Sequence, residues 1–69
     1  MMYDYYVNNN AQSNGDHEVH KDGCYWLKLA SNTTKLGLHS GCYSAVLQAK
    51  ITYRKANGCK HCSNVCHTS

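Results

Sequence analysis

One stretch governs how this chain can fold: Asn57-Gly58-Cys59-Lys60-His61-Cys62-Ser63-Asn64-Val65-Cys66-His67. It holds three of the five cysteines, with the spacing Cys59-x2-Cys62-x3-Cys66. A Cys-x2-Cys pair lets two thiolates from one tight turn reach the same metal ion, and tetrahedral zinc sites often use it. The spacing predicts a cysteine-rich knot over residues 58–67, which another part of the chain must complete.

The residues that could complete the knot are Cys24, Cys42, His20, His61 and His67. Cys24 follows a predicted turn, which would bring a fourth thiolate from the end of a sheet. His61 lies inside the Cys-x2-Cys turn and is expected to point outward. His67 is adjacent to a ligand, and two neighbours rarely bind one ion.

The predicted ligand set for a zinc ion is therefore Cys24, Cys59, Cys62 and Cys66, with His20 as the substitute ligand. A disulfide, such as one between Cys24 and a tail cysteine, is the main alternative, and free thiols are the third.

Length and composition limit the size of the core. The chain has 69 residues, no Phe, one Trp and six Tyr. The length predicts a single domain over residues 1–69. A domain of this size buries only about 60% of the surface that its unfolded chain exposes. We therefore expect cysteine chemistry or oligomerisation to supply part of the stability.

The formal charge of +3 is mildly basic. Four cations fall near the end of the predicted helix and in the knot, namely Lys50, Arg54, Lys55 and Lys60. Nucleic-acid-binding proteins usually carry a denser stripe, so an ordinary solvated face is the competing interpretation.

The first ten residues lack the basic and apolar regions of a signal peptide, and no stretch approaches the length of a membrane span. These features predict a cytoplasmic protein, in which reduced thiols favour metal binding over disulfides. A mature secreted fragment would reverse that inference.

Local patterns predict an α+β fold: a small antiparallel three-stranded sheet with one helix packed across it, followed by the knot. The sheet spans residues 3–38, with strands over 3–7, 16–21 and 35–38 and turns at Asn14-Gly15 and Asp22-Gly23. Residues 24–29 are apolar enough to lie against the core. A helix is expected over 41–56, because apolar residues recur at helical spacing, and Gly58 is its stop.

Two further patterns in the sequence could indicate a catalytic site. Cys42, near the start of the predicted helix, is either a reactive thiol or a small buried core residue. His17 and His20 are three apart on a strand, so they do not form the His-Glu-x-x-His motif of metalloproteases. Asp16, Glu18 and His20 form either a ligand face or a polar edge. We expect no enzymatic activity.

Several segments together resemble one group of small bacterial proteins. The shared segments are Asp16-His17-Glu18-Val19-His20 and the tail Gly58-Cys59-x2-Cys62-x3-Cys66-His67-Thr68-Ser69. The hairpin, strand and helix are also similar to the repeat unit of YegP-type domains, which lack the knot. The resemblance implies a shared fold and no particular activity.

The predicted function is a non-catalytic small binding module, stabilised by zinc, that acts through a protein partner. Four aromatic residues are the predicted contacts: Tyr5, Tyr6, Tyr25 and Trp26. A small nucleic-acid-binding regulator and a thiol-redox protein using Cys59 and Cys62 are the alternatives. An exposed edge strand at residues 3–7 also makes a homodimer plausible.

Overall fold

Four strands, two helices and a 3₁₀ turn make up residues 1–68, the part of the chain that the computed structural model describes. The elements in chain order are β1 (Tyr3–Asn8), β2 (His17–Lys21), α1 (Tyr25–Leu29), β3 (Thr33–His39), α2 (Cys42–Thr52), β4 (Ala56–Gly58) and the 3₁₀ turn (Asn64–Cys66).

The strands form one mixed sheet in the order β3-β1-β2-β4. β1 pairs antiparallel with both β2 and β3, whereas β4 pairs parallel with β2. The α+β class is confirmed, but the prediction of three antiparallel strands was wrong. The segment Ala56–Gly58 has little intrinsic preference for a strand, so its conformation depends on the partner strand.

Helix α2 covers one face of this sheet. Its buried residues Cys42, Ala45, Val46 and Ala49 follow the predicted helical spacing and pack with Tyr5, Val7, Val19 and Ala56. The helix ends at Thr52 rather than at residue 56, because the chain turns there to add β4 to the sheet.

Gly58 does not stop the helix, since it lies in β4 and is not among the described glycines with positive φ. A Cβ on Gly58 would lie 2.7 Å from the Cys66 Cβ and 2.7 Å from the Ser63 carbonyl oxygen. Glycine is needed here for close approach of the tail to the strand.

The central position of β1 corrects two predictions. Because β1 is paired on both sides, residues 3–7 are not an edge strand and cannot pair with a second copy. Tyr5 is only 4% exposed and belongs to the core, so it cannot serve as a partner contact.

Both predicted turns are confirmed by glycines with positive φ, at Gly15 (+90°) and Gly23 (+90°). The second turn leads into α1, which differs from the prediction for residues 24–29. Tyr25, Trp26 and Leu29 are exposed on α1 and do not lie against the core.

A disulfide joins Cys42 at the start of α2 to Cys66 in the 3₁₀ turn. It fixes the tail against the helix and corrects two predictions. Cys42 is buried, as expected, but it is neither a free core thiol nor a reactive one. Cys24 takes no part in a disulfide.

Candidate metal centre

Three free thiols and one imidazole converge on the side of β2 away from α2. Side chains alternate along a strand, so Val19 enters the core while His20 points to the opposite face. The Asp22-Gly23 turn then brings Cys24 back beside His20, with the Cys24 amide donating to the Lys21 carbonyl at 3.1 Å.

The parallel pairing of β4 with β2 supplies the other two thiols. Gly58 is in register with Val19, and the amide of Cys59 donates to the Val19 carbonyl at 2.9 Å. This places Cys59 beside the next residue of β2, His20. The following turn closes with a 2.9 Å bond from the Ser63 amide to the Cys59 carbonyl and returns Cys62 to the same point.

The four donor atoms all lie within 4.8 Å of one another. The Nδ1 atom of His20 is 3.8 Å from the Cys24 sulfur and 3.9 Å from the Cys62 sulfur. The sulfurs of Cys24 and Cys59 are 4.0 Å apart. A zinc ion with ordinary bond lengths holds tetrahedral sulfurs about 3.8 Å apart, so small inward movements would complete such a shell.

Contacts around the cluster orient its donors. The Nε2 atom of His20 lies 3.7 Å from a carboxylate oxygen of Glu18, and Nδ1 faces the sulfurs. Backbone amides of Lys21 and His61 donate to the sulfurs of Cys62 and Cys59 at 3.3 and 3.4 Å. Metal-bound histidines usually have a carboxylate or carbonyl at the second ring nitrogen, which fixes the tautomer.

Burial and hydrogen bonding together shift the pKa values of these groups. It lowers the pKa of the His20 imidazole, which favours the neutral ring that binds metals. Burial raises the pKa of Cys59 and raises that of Cys62 to about 12. For Cys24, hydrogen bonds, chiefly that with Cys62, outweigh burial and lower the pKa. A divalent cation would stabilise all three thiolates at once.

The predicted ligands are brought together with one exception. Cys24, Cys59 and Cys62 converge, but Cys66 is held in the disulfide, and the substitute ligand His20 takes its place. The sequence did contain a signal for this set. His20-x3-Cys24 is a second pair of donors only a few residues apart, and it could complete the pair in Cys59-x2-Cys62.

The two tail histidines lie outside the cluster. His61 is exposed, and its ring stacks on Trp26 at a centroid distance of 5.3 Å. His67 contacts the Gly58 carbonyl through Nδ1 at 3.0 Å. The interpretation of Asp16, Glu18 and His20 as a solvent-facing polar edge was wrong for His20, which is buried and belongs to the donor set.

The aromatic residues predicted as contacts are not grouped together. Tyr25 and Trp26 are exposed neighbours on α1, with ring centroids 5.4 Å apart in an edge-to-face arrangement. Tyr6 is half-buried in β1, opposite His20 in the register.

The predicted basic patch is divided between two clefts. Lys50, Arg54 and Lys55 line a cleft of about 230 Å³ that also contains the Asp16 carboxylate. Lys60 lines a different cleft of about 420 Å³, next to Trp26 and His61. The four cations therefore do not form one continuous stripe.

Comparison of the chain with protein-family models, curated proteins and solved structures finds no match. Among residues 1–68, no helix has the length and apolar character needed to cross a membrane.

Proposed function

We propose that this protein is a non-catalytic binding module stabilised by a structural zinc ion. The main observation in support is that three thiols and one imidazole, from two distant segments, place their donor atoms within 4.8 Å of one another. A sulfur-rich set of four donors suits zinc. Four protein ligands also fill a tetrahedral shell and leave no position for a substrate, which favours a structural role over catalysis.

The apolar core is small, so a bound ion would add stability that the core does not supply. Eight buried residues form the main apolar cluster, and three of them are the alanines Ala45, Ala49 and Ala56. A core of this kind rarely supplies more than about 3–5 kcal/mol of stability in a chain below 70 residues. A structural zinc site couples metal binding directly to folding.

A protein partner at the exposed side of the site is the second part of the proposal. Trp26 is 43% exposed and Tyr25 is 64% exposed. Both rings follow Cys24 directly, and Trp26 stacks on His61 within the Cys59-x2-Cys62 turn. A bound ion would thus fix the positions of two aromatic side chains of the kind that dominate protein-binding hot spots.

The metal is tested by native mass spectrometry of the purified chain, combined with thiol counting. We expect one zinc ion per chain and three thiols that react only after chelation. Chelation should also unfold the protein, as followed by circular dichroism, because the apo core is small.

A matched pair of variants separates the ligands from the other cysteines. C59S should lose most zinc, whereas C42A/C66A should retain it, since the latter removes only the disulfide. If the reduced chain neither carries zinc nor takes it up on titration, the metal proposal is wrong.

The partner surface is tested by crosslinking capture from cells with the parent chain, W26A and L38A. Leu38 is a suitable control because it is also exposed, at 59%, but lies on β3. A protein captured by the parent and L38A but not by W26A supports the proposal, provided that all three bind zinc equally. Loss of all capture after nuclease treatment would favour the nucleic-acid alternative instead.

A further inference from the structure

Helix α2 carries an exposed apolar ridge in addition to its buried face. The ridge consists of Tyr43, Leu47 and Ile51, which are 75%, 63% and 85% exposed. Their spacing of four residues places them in one row along the helix surface. Exposed apolar patches of this kind usually mark interaction sites.

The distribution of side-chain size on α2 is the reverse of that on an ordinary surface helix. Its inward face includes the small residues Ala45 and Ala49, whereas its large apolar residues face outward. A surface helix normally turns polar residues to water. The packing of one chain therefore leaves the bulkiest apolar residues of α2 largely exposed to water.

We propose that the ridge is the contact surface of a homodimer in which α2 packs against α2 of a second copy. A row of residues spaced by four is the type of ridge that interdigitates with an identical row, in the commonest class of helix packing. A two-fold axis near Leu47 would bring the two Leu47 side chains together, as a self-complementary interface requires.

The charges near the ridge favour an antiparallel arrangement. Ser44 and Gln48 beside the ridge are uncharged, and Lys50 and Arg54 lie toward its C-terminal end. Antiparallel helices place these cations at opposite ends of the interface. Parallel helices would place them at the same end, where like charges repel.

The available area fits a second copy. The three side chains expose roughly 400 Å² of mostly apolar surface per chain. A standard interface buries about 800 Å² per partner, a little over half of it apolar. The ridge thus supplies nearly the whole apolar part of such an interface, and the polar neighbours supply the remainder.

Sedimentation equilibrium of the purified chain tests this proposal, from low-micromolar to near-millimolar concentration. We expect the weight-average mass to rise toward that of two chains. L47K should remain at the mass of one chain throughout, because it places two like charges at the symmetry axis. L38K is the matched control, since Leu38 is similarly exposed on β3, and it should dimerise like the parent.

A second variant keeps the test independent of folding. Ile51 is 85% exposed, so I51K tests the same ridge if L47K loses its circular dichroism signal. A parent chain that stays monomeric, or folded ridge variants that dimerise as the parent does, would overturn the proposal. The metal content is measured in parallel, because dimerisation through α2 does not depend on the zinc proposal.

Discussion

Glu18 shows how one side chain outside the donor set can affect the site. Its carboxylate lies 3.7 Å from His20 Nε2, so it favours the tautomer whose Nδ1 lone pair faces the sulfurs. Removing such a contact typically weakens metal binding by about 10- to 100-fold.

We therefore expect E18Q to bind zinc at least about 10-fold more weakly than the parent, in competition with a chromophoric chelator. D22N is the control, because Asp22 is exposed in the neighbouring turn and also carries a single negative charge. Equal losses in the two variants would mean that net charge, rather than the Glu18–His20 contact, sets the affinity.

Gly58 provides a test of packing between the strand and the tail. In G58A, the added methyl group would collide with the Cys66 side chain and the Ser63 carbonyl, each 2.7 Å away. Overpacking of this kind costs about 1–3 kcal/mol.

The free energy of unfolding in urea should fall by that amount in G58A. G41A is the matched control, since a Cβ on Gly41 has open space around it and the backbone there is extended. A G58A chain as stable as G41A would show that the tail moves away from β4 at little cost.

Tyr5 makes stability depend on pH at the alkaline end. Burial is the main cause that raises its pKa in the folded chain, with the Cys62 and Tyr3 groups adding to the effect. Tyr5 therefore keeps its phenol proton to a higher pH in the folded chain than in the unfolded chain, where its pKa is near 10. The associated stability is complete below about pH 10 and is lost as the pH rises through the folded pKa.

Y5F cannot ionise at this position, so its free energy of unfolding should fall less between about pH 9 and 11 than that of the parent. Urea titrations across this range measure the difference. Y25F, a change at an exposed position of α1 outside the ridge, should follow the parent. Identical pH profiles for the parent and Y5F would contradict the prediction.

At the level of elements, the features that depend on nearby residues were predicted correctly from the sequence. The turns at Gly15 and Gly23, the first two strands and the buried face of α2 all follow from residue preferences and spacing. They could be predicted because each depends on neighbours within a few residues.

β4 and the disulfide could not be predicted in the same way. The Ala56–Gly58 segment becomes a strand only because β2 offers a parallel partner. The pairing of Cys42 with Cys66 depends on where the tail crosses the start of α2. Missing the disulfide also misplaced Cys66 among the metal ligands and left His20 as a substitute.

The disulfide joins residues 24 apart in sequence. Closing a loop of that length in the unfolded chain stabilises the fold by about 3.5 kcal/mol in the chain-entropy model. C42A/C66A should therefore unfold at lower urea concentration while its zinc stoichiometry stays unchanged. A loss of zinc in that variant would show that the tail needs the disulfide to position Cys59 and Cys62.

At the scale of the whole molecule, one disulfide and one cluster of donor atoms bring the tail against two different parts of the fold. The disulfide attaches it to α2, and the donor cluster attaches it to the end of β2. A chain with a radius of gyration of 10.3 Å has little interior to stabilise it otherwise. The expected cytoplasmic location stays a prediction, and the state of Cys42 and Cys66 in protein taken from a reducing compartment would bear on it.

The parallel pairing of β4 with β2 has a consequence for synthesis of the protein. His20 and Cys24 are translated well before β4, Cys59 and Cys62. A chain that stops between the two pairs has neither a closed coordination shell nor the fourth strand. Without β4, β2 would be an edge of the sheet with unpaired backbone groups, so β2 reaches its full pairing only after the tail has been made.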